Sequence, residues 1–314
     1  MPHRPKYNEL TRMVRQLREA LELTRSTNFR FLSFAPPGHF YSPIPDYGAI
    51  ESGNHSRFEP LIKELPGLNL NLHQQLDLIE RFSEYQTDIP WPAEGKNAGF
   101  RYHFDNIYFS YGDAVALFCL MREFKPKRVL EVGSGFSSAA MLDIDDLFLN
   151  KTIEFTFVDP YAHRLMKLIS DEDLPRIRLI KQPVQQIPDS EFRKLKRDDI
   201  LFIDSSHVSK TGSDVGHLVH RVIPGLASGV IIHIHDIFWP FEYPKKWLKT
   251  GRAWNEAYLL LAFLQFNSAF DILFFNSYLE LHHKKLLRRK LPLILRQSSS
   301  KMTYGNSSLW IRKR

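Results

Sequence analysis

The sequence predicts an α/β fold, a doubly wound and mostly parallel sheet, and three observations carry the prediction. Short apolar runs at 128–132, 153–158, 176–181, 199–204 and 229–235 alternate with stretches of helical length. Regular alternation of this kind builds a parallel sheet covered by helices on both faces, because each parallel neighbour needs a crossover. The first run, Arg128-Val129-Leu130-Glu131-Val132, leads directly into Gly133-Ser134-Gly135-Phe136-Ser137-Ser138. A buried strand there meets a glycine-rich turn that opens a helix. Two further strand-like runs, 270–276 and 308–313, follow with no crossover helix of ordinary length between them, which predicts an antiparallel C-terminal strand pair.

Taken in order, the chain of 314 residues, 43% hydrophobic and 25% charged, has room for one large core and an extension. Residues 8–25 carry a helical stripe of Leu10, Met13, Val14, Leu17 and Leu21, with Arg12, Arg15 and Arg18 elsewhere on the helix. Such a stripe packs on the rest of the chain or on a second subunit, so a homo-oligomer is one expectation. From Phe31 to about Gly99 the pattern breaks into proline-bearing segments, among them Ala35-Pro36-Pro37-Gly38 and Asp88-Ile89-Pro90-Trp91-Pro92, whose aromatics favour ordered irregular loops. Residues 1–100 therefore read as an N-terminal helical and loop extension that caps the active site, and 101–314 as the domain that carries it. An apolar helix from Ala114 to Phe124 precedes the first strand. Later helices are expected at 137–149, 161–171, 189–196, 211–222 and 253–266.

Composition excludes several classes. The longest apolar runs, 258–263 and 230–234, fall far short of the ~20 residues a membrane span needs. The start, MPHRPKYNEL, has no apolar core for a signal peptide. The lone Cys119 rules out an internal disulfide, reads as a buried structural thiol and fits a reducing, cytoplasmic setting. Net charge is +7, with its densest run at His282–Lys290, a solvated helix face or a patch for an anionic partner. No nucleic-acid motif accompanies it.

The glycine turn admits two cofactors. A dinucleotide site wants a third glycine for close helix packing, and here Ser138 takes that place, with Ser134 and Ser137 beside it. The alternative is an E-x-G-x-G turn, Glu131 to Gly135, for a cofactor without phosphate, which needs only close backbone approach and donors for a carboxylate. Asp159, at the end of the second strand, is placed to accept from ribose hydroxyls in either case. Ligands of open α/β sheets sit at the carboxyl ends of strands. The fourth strand ends in Asp204-Ser205-Ser206-His207 and the fifth in His235-Asp236, so two carboxylates and two imidazoles converge on one edge. Such a set suits Mg²⁺, or Mn²⁺ and Fe²⁺ given its histidines, which would acidify and orient a hydroxyl. Without a metal, His207 would be the general base, its pKa near neutrality and tuned by Asp204. His233 lies one step deeper and reads as structural.

The segments VLEVGSGFSS, FVDPY, DILFIDSSHVSKTGSDV, IIHIHDIFWPFEYP and GRAWNEAYLL resemble the methyltransferase domain 24 family of class I S-adenosylmethionine (SAM)-dependent methyltransferases, related to sugar and macrolide-sugar O-methyltransferases. The resemblance runs from about Asp105 onward. It implies a Rossmann-like sheet with an antiparallel ending, and SAM contacts from Gly133, Gly135, Ser137 and Asp159, with Glu131 and Ser134 of the same turn. More distantly the chain is similar to catechol-type O-methyltransferases, whose fourth strand ends in a metal-binding Asp and fifth in an Asp-Asn pair. Asp204 matches the first, and His235-Asp236 takes the place of the pair. The resemblance thus offers Asp204, His235 and Asp236 as a metal set and His207 with Asp204 as catalytic residues. Residues after the fifth strand, Phe238, Trp239, Phe241, Glu242, Tyr243 and Trp247, then Arg252, Trp254, Asn255 and Glu256, would wall a pocket for a sugar or small-molecule acceptor. Gln182 or Gln185 would meet adenine. An NAD-linked oxidoreductase and a non-catalytic binding module on the same fold are the competing classes.

Overall fold

Among the described residues seven strands form one sheet: β1 (Arg128–Val132), β2 (Glu154–Val158), β3 (Ile177–Ile180), β4 (Ile200–Ile203), β5 (Ile231–Ile234), β6 (Phe270–Phe275) and β7 (Leu309–Lys313). Their order in this computed structural model is 3-2-1-4-5-7-6. The model describes residues 14–16, 19, 34–52, 62–95, 99–299 and 305–314. Most of the amphipathic stripe expected at 8–25 lies outside them. The chain divides into two compact units, one of Met1–Ser56 with Lys245–Ala253 and one of Arg57–Pro244 with Trp254–Arg314. The second contains the whole sheet.

Strands β1 to β5 are parallel, and β7 runs antiparallel to both neighbours. The expected C-terminal pair is therefore present, with β7 inserted between β5 and β6. In the register Val132 faces Val158 and Ile203, and Ile203 faces Ile234. The carboxyl ends of β1, β2, β4 and β5 consequently finish level, and the strand order reverses at β1, where such sheets bind ligands. Every residue of β4 and β5 is buried, as strands covered on both faces must be.

The helices seal that sheet. α1 (Leu72–Phe82) buries Leu78, Ile79 and Phe82, and its buried Gln75 accepts from the backbone N–H of Phe275 at 2.9 Å, which ties it to β6. α2 (Tyr111–Phe124) is buried along its length from Tyr111 to Met121. Asp113 in its first turn accepts from the Ser307 amide (2.8 Å) and the Ser308 hydroxyl (2.7 Å), and Ser308 Oγ in turn lies 2.9 Å from His233 Nε2. That column explains the deep histidine as structural, since burial holds His233 well below its ordinary pKa and hence neutral. α3 (Phe136–Phe148) opens directly from the glycine turn.

One expected helix is missing. Residues 161–171 form only a 3₁₀ turn, Leu165–Lys167, followed by another at Leu174–Arg176. Asp173 accounts for the difference: it takes the Ser170 amide at 2.9 Å and two bonds from Arg101, at 3.0 and 2.5 Å. Arg101 also donates to Asp143 and Asp146 of α3, so this crossover is held by ion pairs instead of a helix. The helix expected at 189–196 is only Asp189–Phe192. α4 (Asp214–Gly225) starts at a Ser213 cap and contains a π-helical stretch, Leu218–Val222. α5 (Glu256–Leu264), α6 (Asn276–His282) and α7 (Lys284–Lys290) follow towards the C-terminal strands. Among the described residues no helix is long and apolar enough to cross a membrane.

Candidate active site

A cavity of about 550 Å³ opens at the strand ends, lined by Gly133 and Ser134 of the turn, by Asp159, Tyr161 and Arg164 after β2, by Gln185, and by Asp204, Ser206, Lys210 and Asp214 after β4. Its floor is the glycine turn. Gly133 has φ +84°, and a Cβ there would stand 1.9 Å from the carbonyl oxygen of Asp204, so only glycine lets the ends of β1 and β4 close.

The turn spends its amides on the protein itself. Gly133 N–H donates to Val158 O (3.0 Å), Ser134 N–H to Asp159 (3.0 Å) and Gly135 N–H to Ser138 Oγ (2.9 Å). A pyrophosphate would need those donors, and the cavity instead presents carboxylates. Asp159 also accepts from the Ser134 hydroxyl and the Tyr161 amide, at 2.8 Å each. Burial works against its ionisation, but the amides of Ala162 and Tyr161 and the Ser134 contacts outweigh it and hold its pKa below the usual carboxylate range. A cavity whose turn amides are already engaged by the protein suits a cofactor without a pyrophosphate.

Of the six residues expected at the cofactor, Gly133, Ser134 and Asp159 line this cavity. Glu131 and Ser137 are buried, and Gly135, where a Cβ would stand 2.8 Å from Arg164 Cδ, leaves room for that cavity-lining side chain. Glu131 is fully buried and accepts from Ser137 Oγ at 2.5 Å and from Ser138 Oγ. Burial pushes its carboxyl up to about 8 despite both hydroxyls. Gln185 lines the cavity and donates to Gly212 O at 2.8 Å.

The structure brings the strand-end quartet together around His207. Its ring is 5% exposed, with Nε2 3.4 Å from Asp204 and 3.6 Å from Asp236, and Nδ1 2.9 Å from Glu256. His207 and Asp236 both hold left-handed backbones, φ +60° and +58°, unusual for residues with side chains and concentrated where function over-determines geometry. His235 Nε2 lies 3.5 Å from Asp236, and its buried Nδ1 has no hydrogen-bond partner among the described residues. Burial opposes charge on His207, yet Asp204 and Glu256, then Asp236, raise its pKa well above the ordinary value. The sequence expectation of a base near neutrality is therefore corrected, because three carboxylates face the ring where one was counted. Asp204 is held below the usual carboxylate range: burial raises it, but His235 and His207 more than compensate.

The donor set does not make a ready metal cage. Among the described residues no group of three or more His, Cys, Asp or Glu converges to hold an ion. Asp204 and Asp236 converge instead on the Nε2 edge of His207, and an ion between them would have to take that place. Nor do the expected wall aromatics all face a pocket. Trp239, Phe241 and Tyr243 are buried, with Phe241 5.4 Å from the Phe275 ring and Tyr243 OH accepting from the Ala257 amide. Glu256, expected in the acceptor wall, stands behind His207 and is 2% exposed. The only hint of that role in the sequence was an acid at the start of an apolar helix.

The sheet order, the level strand ends and the cavity over the glycine turn of β1 define a class I SAM-dependent methyltransferase. Residues 130–237 match the family described as Methyltransferase domain. An uncharacterized protein of Archaeoglobus fulgidus is 32% identical over 181 residues, 56% of this chain and 81% of that protein. The chain belongs to the methyltransferase domain 24 family and is a SAM-dependent methyltransferase. Among solved structures it is similar to an SAH-bound methyltransferase of Podospora anserina, PaMTH1 (16% identity, 76% of this chain and 88% of that one, TM-score 0.41). It is also similar to CmcI with Mg and SAM (14%, 66% and 72%, 0.38) and to the mitomycin 7-O-methyltransferase MmcR (13%, 64% and 55%, 0.36).

Proposed function

We propose that the enzyme methylates a hydroxyl of a sugar or other small hydroxylated metabolite, with His207 accepting the hydroxyl proton. The observation that supports this is the buried His207 at the end of β4, beside the cofactor cavity, with Nε2 turned towards Asp204 and Asp236. SAM supplies an electrophilic methyl: the acceptor oxygen forms a C–O bond as the C–S bond breaks, leaving S-adenosylhomocysteine. Asp159 holds the ribose diol, and Gly133 lets the cofactor lie against the turn. Asp204 and Asp236 stabilise the imidazolium that proton transfer creates, as buried carboxylates do beside catalytic histidines. Because those carboxylates raise the pKa of His207, the ring is a strong base once its Nε2 proton has left.

The test is a screen of sugars and phenols with CD₃-labelled SAM, reading product mass and the methylated atom by NMR. A methyl on oxygen, lost in His207→Gln with S-adenosylhomocysteine affinity retained, is expected. A methyl on carbon or nitrogen, or full turnover in His207→Gln, overturns the proposal.

A further inference from the structure

We propose that Glu256 is the positioning residue for His207, holding the imidazole by Nδ1 so that Nε2 is the nitrogen left to work at the strand ends. This rests on the reading of His207 as the proton acceptor and adds which nitrogen acts and what selects it.

An imidazole ringed by carboxylates has no intrinsic preference for one orientation, since a half-turn of the ring exchanges its edges. The distances select one. Glu256 Oε2 is 2.9 Å from Nδ1, a full hydrogen bond, whereas Asp204 and Asp236 stand 3.4 and 3.6 Å from Nε2, beyond ordinary bonding range. Glu256 is 2% exposed, so water does not compete for its carboxylate.

The main chain reinforces the same grip. The carbonyl of His207 accepts the N–H groups of both Asn255 and Glu256, at 3.2 Å each. Asn255 fastens the next turn of the loop, accepting from the Ser209 amide at 2.6 Å and donating to the Ser209 carbonyl at 3.1 Å. The Trp254 ring lies 4.3 Å from the imidazole and covers its face. Three consecutive residues ahead of and opening α5 thus hold the ring edge, the ring face and the backbone of one histidine. A Glu that merely capped a helix would need none of this. The arrangement parallels the general logic of a buried carboxylate fixing a catalytic imidazole's tautomer.

NMR of protein labelled with ¹⁵N-histidine and saturated with S-adenosylhomocysteine tests the proposal without needing the acceptor. A low-field, exchange-protected Nδ1–H signal of His207, assigned by its loss in His207→Asn, is expected in the unaltered protein. It should move upfield in Glu256→Gln, where a neutral amide replaces the carboxylate. At a pH where the ring holds a single proton, the signal should vanish in Glu256→Leu, with that proton found on Nε2. S-Adenosylhomocysteine affinity in the variants should stay within about twofold. Absence of the Nδ1–H signal in the unaltered protein, or its survival unchanged in Glu256→Leu, overturns the proposal. The first measurement decides even if neither variant folds. Methyl transfer persisting in His207→Gln would instead sink the general-base reading, whatever the ring proton does.

Discussion

Gly133→Ala should damage stability and cofactor binding together, and its size follows from two distances. A Cβ at this position meets the Asp204 carbonyl oxygen at 1.9 Å, whereas real Cβ atoms keep at least 3.0 Å from such neighbours. The ends of β1 and β4 must therefore separate by about 1.1 Å, against the Asp204 N–H to Val132 O bond at 2.9 Å and the Gly133 N–H to Val158 O bond at 3.0 Å. Forcing a methyl into packed backbone costs ~1–3 kcal/mol. A side chain at φ +84° adds ~1 kcal/mol. About 3 kcal/mol in a domain of this size lowers Tm by roughly 6–12 °C. The same shift moves Asp204 and Ser134, both in the cavity wall, so S-adenosylhomocysteine should bind at least ~10-fold more weakly, a loss of ~1.4 kcal/mol. Calorimetric unfolding and titration measure both. A variant that melts and binds like the unaltered enzyme would refute the claim that this contact closes the floor of the site.

Four further outcomes are expected. Folding lifts the Glu131 pKa from about 4.5 to about 8, so the native state holds that proton more tightly and the enzyme loses stability as pH rises through this window. Urea unfolding of Glu131→Gln should lack that slope, a difference of a few kcal/mol, and parallel curves would contradict the assignment. Once an acceptor is in hand, the acid limb of its pH–rate profile should lie above the ordinary histidine pKa, because His207 is raised, and should move to lower pH in Asp236→Asn, where one facing charge is gone. In Asp204→Asn turnover should collapse while S-adenosylhomocysteine titrates nearly as before; equal loss of both would place Asp204 at the cofactor instead. Glu256→Gln should lower kcat roughly tenfold or more at nearly constant KM for SAM, and should cost nothing further in a His207→Gln background.

Five parallel strands were legible because β4 is apolar throughout and the others interrupt their apolar residues with a single internal polar one, Glu131, Thr156, Arg178 or His233, between polar or glycine boundaries. The crossover after β2 was not. Its stretch from Tyr161 has helical length, but the interaction that overrides the helix joins Asp173 to Arg101, 72 residues away, and no local pattern records that. At the site, strand-end logic found Asp204, His207, His235 and Asp236, since the ends of parallel strands converge by construction. It missed the direction of the His207 shift, which depends on Glu256 arriving from a helix 49 residues further on. Of the turn's serines, Ser134 lines the cavity, and Ser137 and Ser138 donate to the buried Glu131. Sequence shows that hydroxyls are present, whereas the partner they serve is decided by which side of the loop is dry.

The place of β7 has a consequence for how the chain is made. It is the last of the seven strands to leave the ribosome, yet it lies between β5 and β6 and supplies Ser307 and Ser308 to Asp113 near the start of the domain. Until it arrives β6 has no partner in the sheet, β5 keeps an open edge and Asp113 waits buried beside an empty slot. From the completion of β5 at Ile234 until Leu309–Lys313 is made, the nascent enzyme therefore carries an open apolar margin, which β7 closes from both sides.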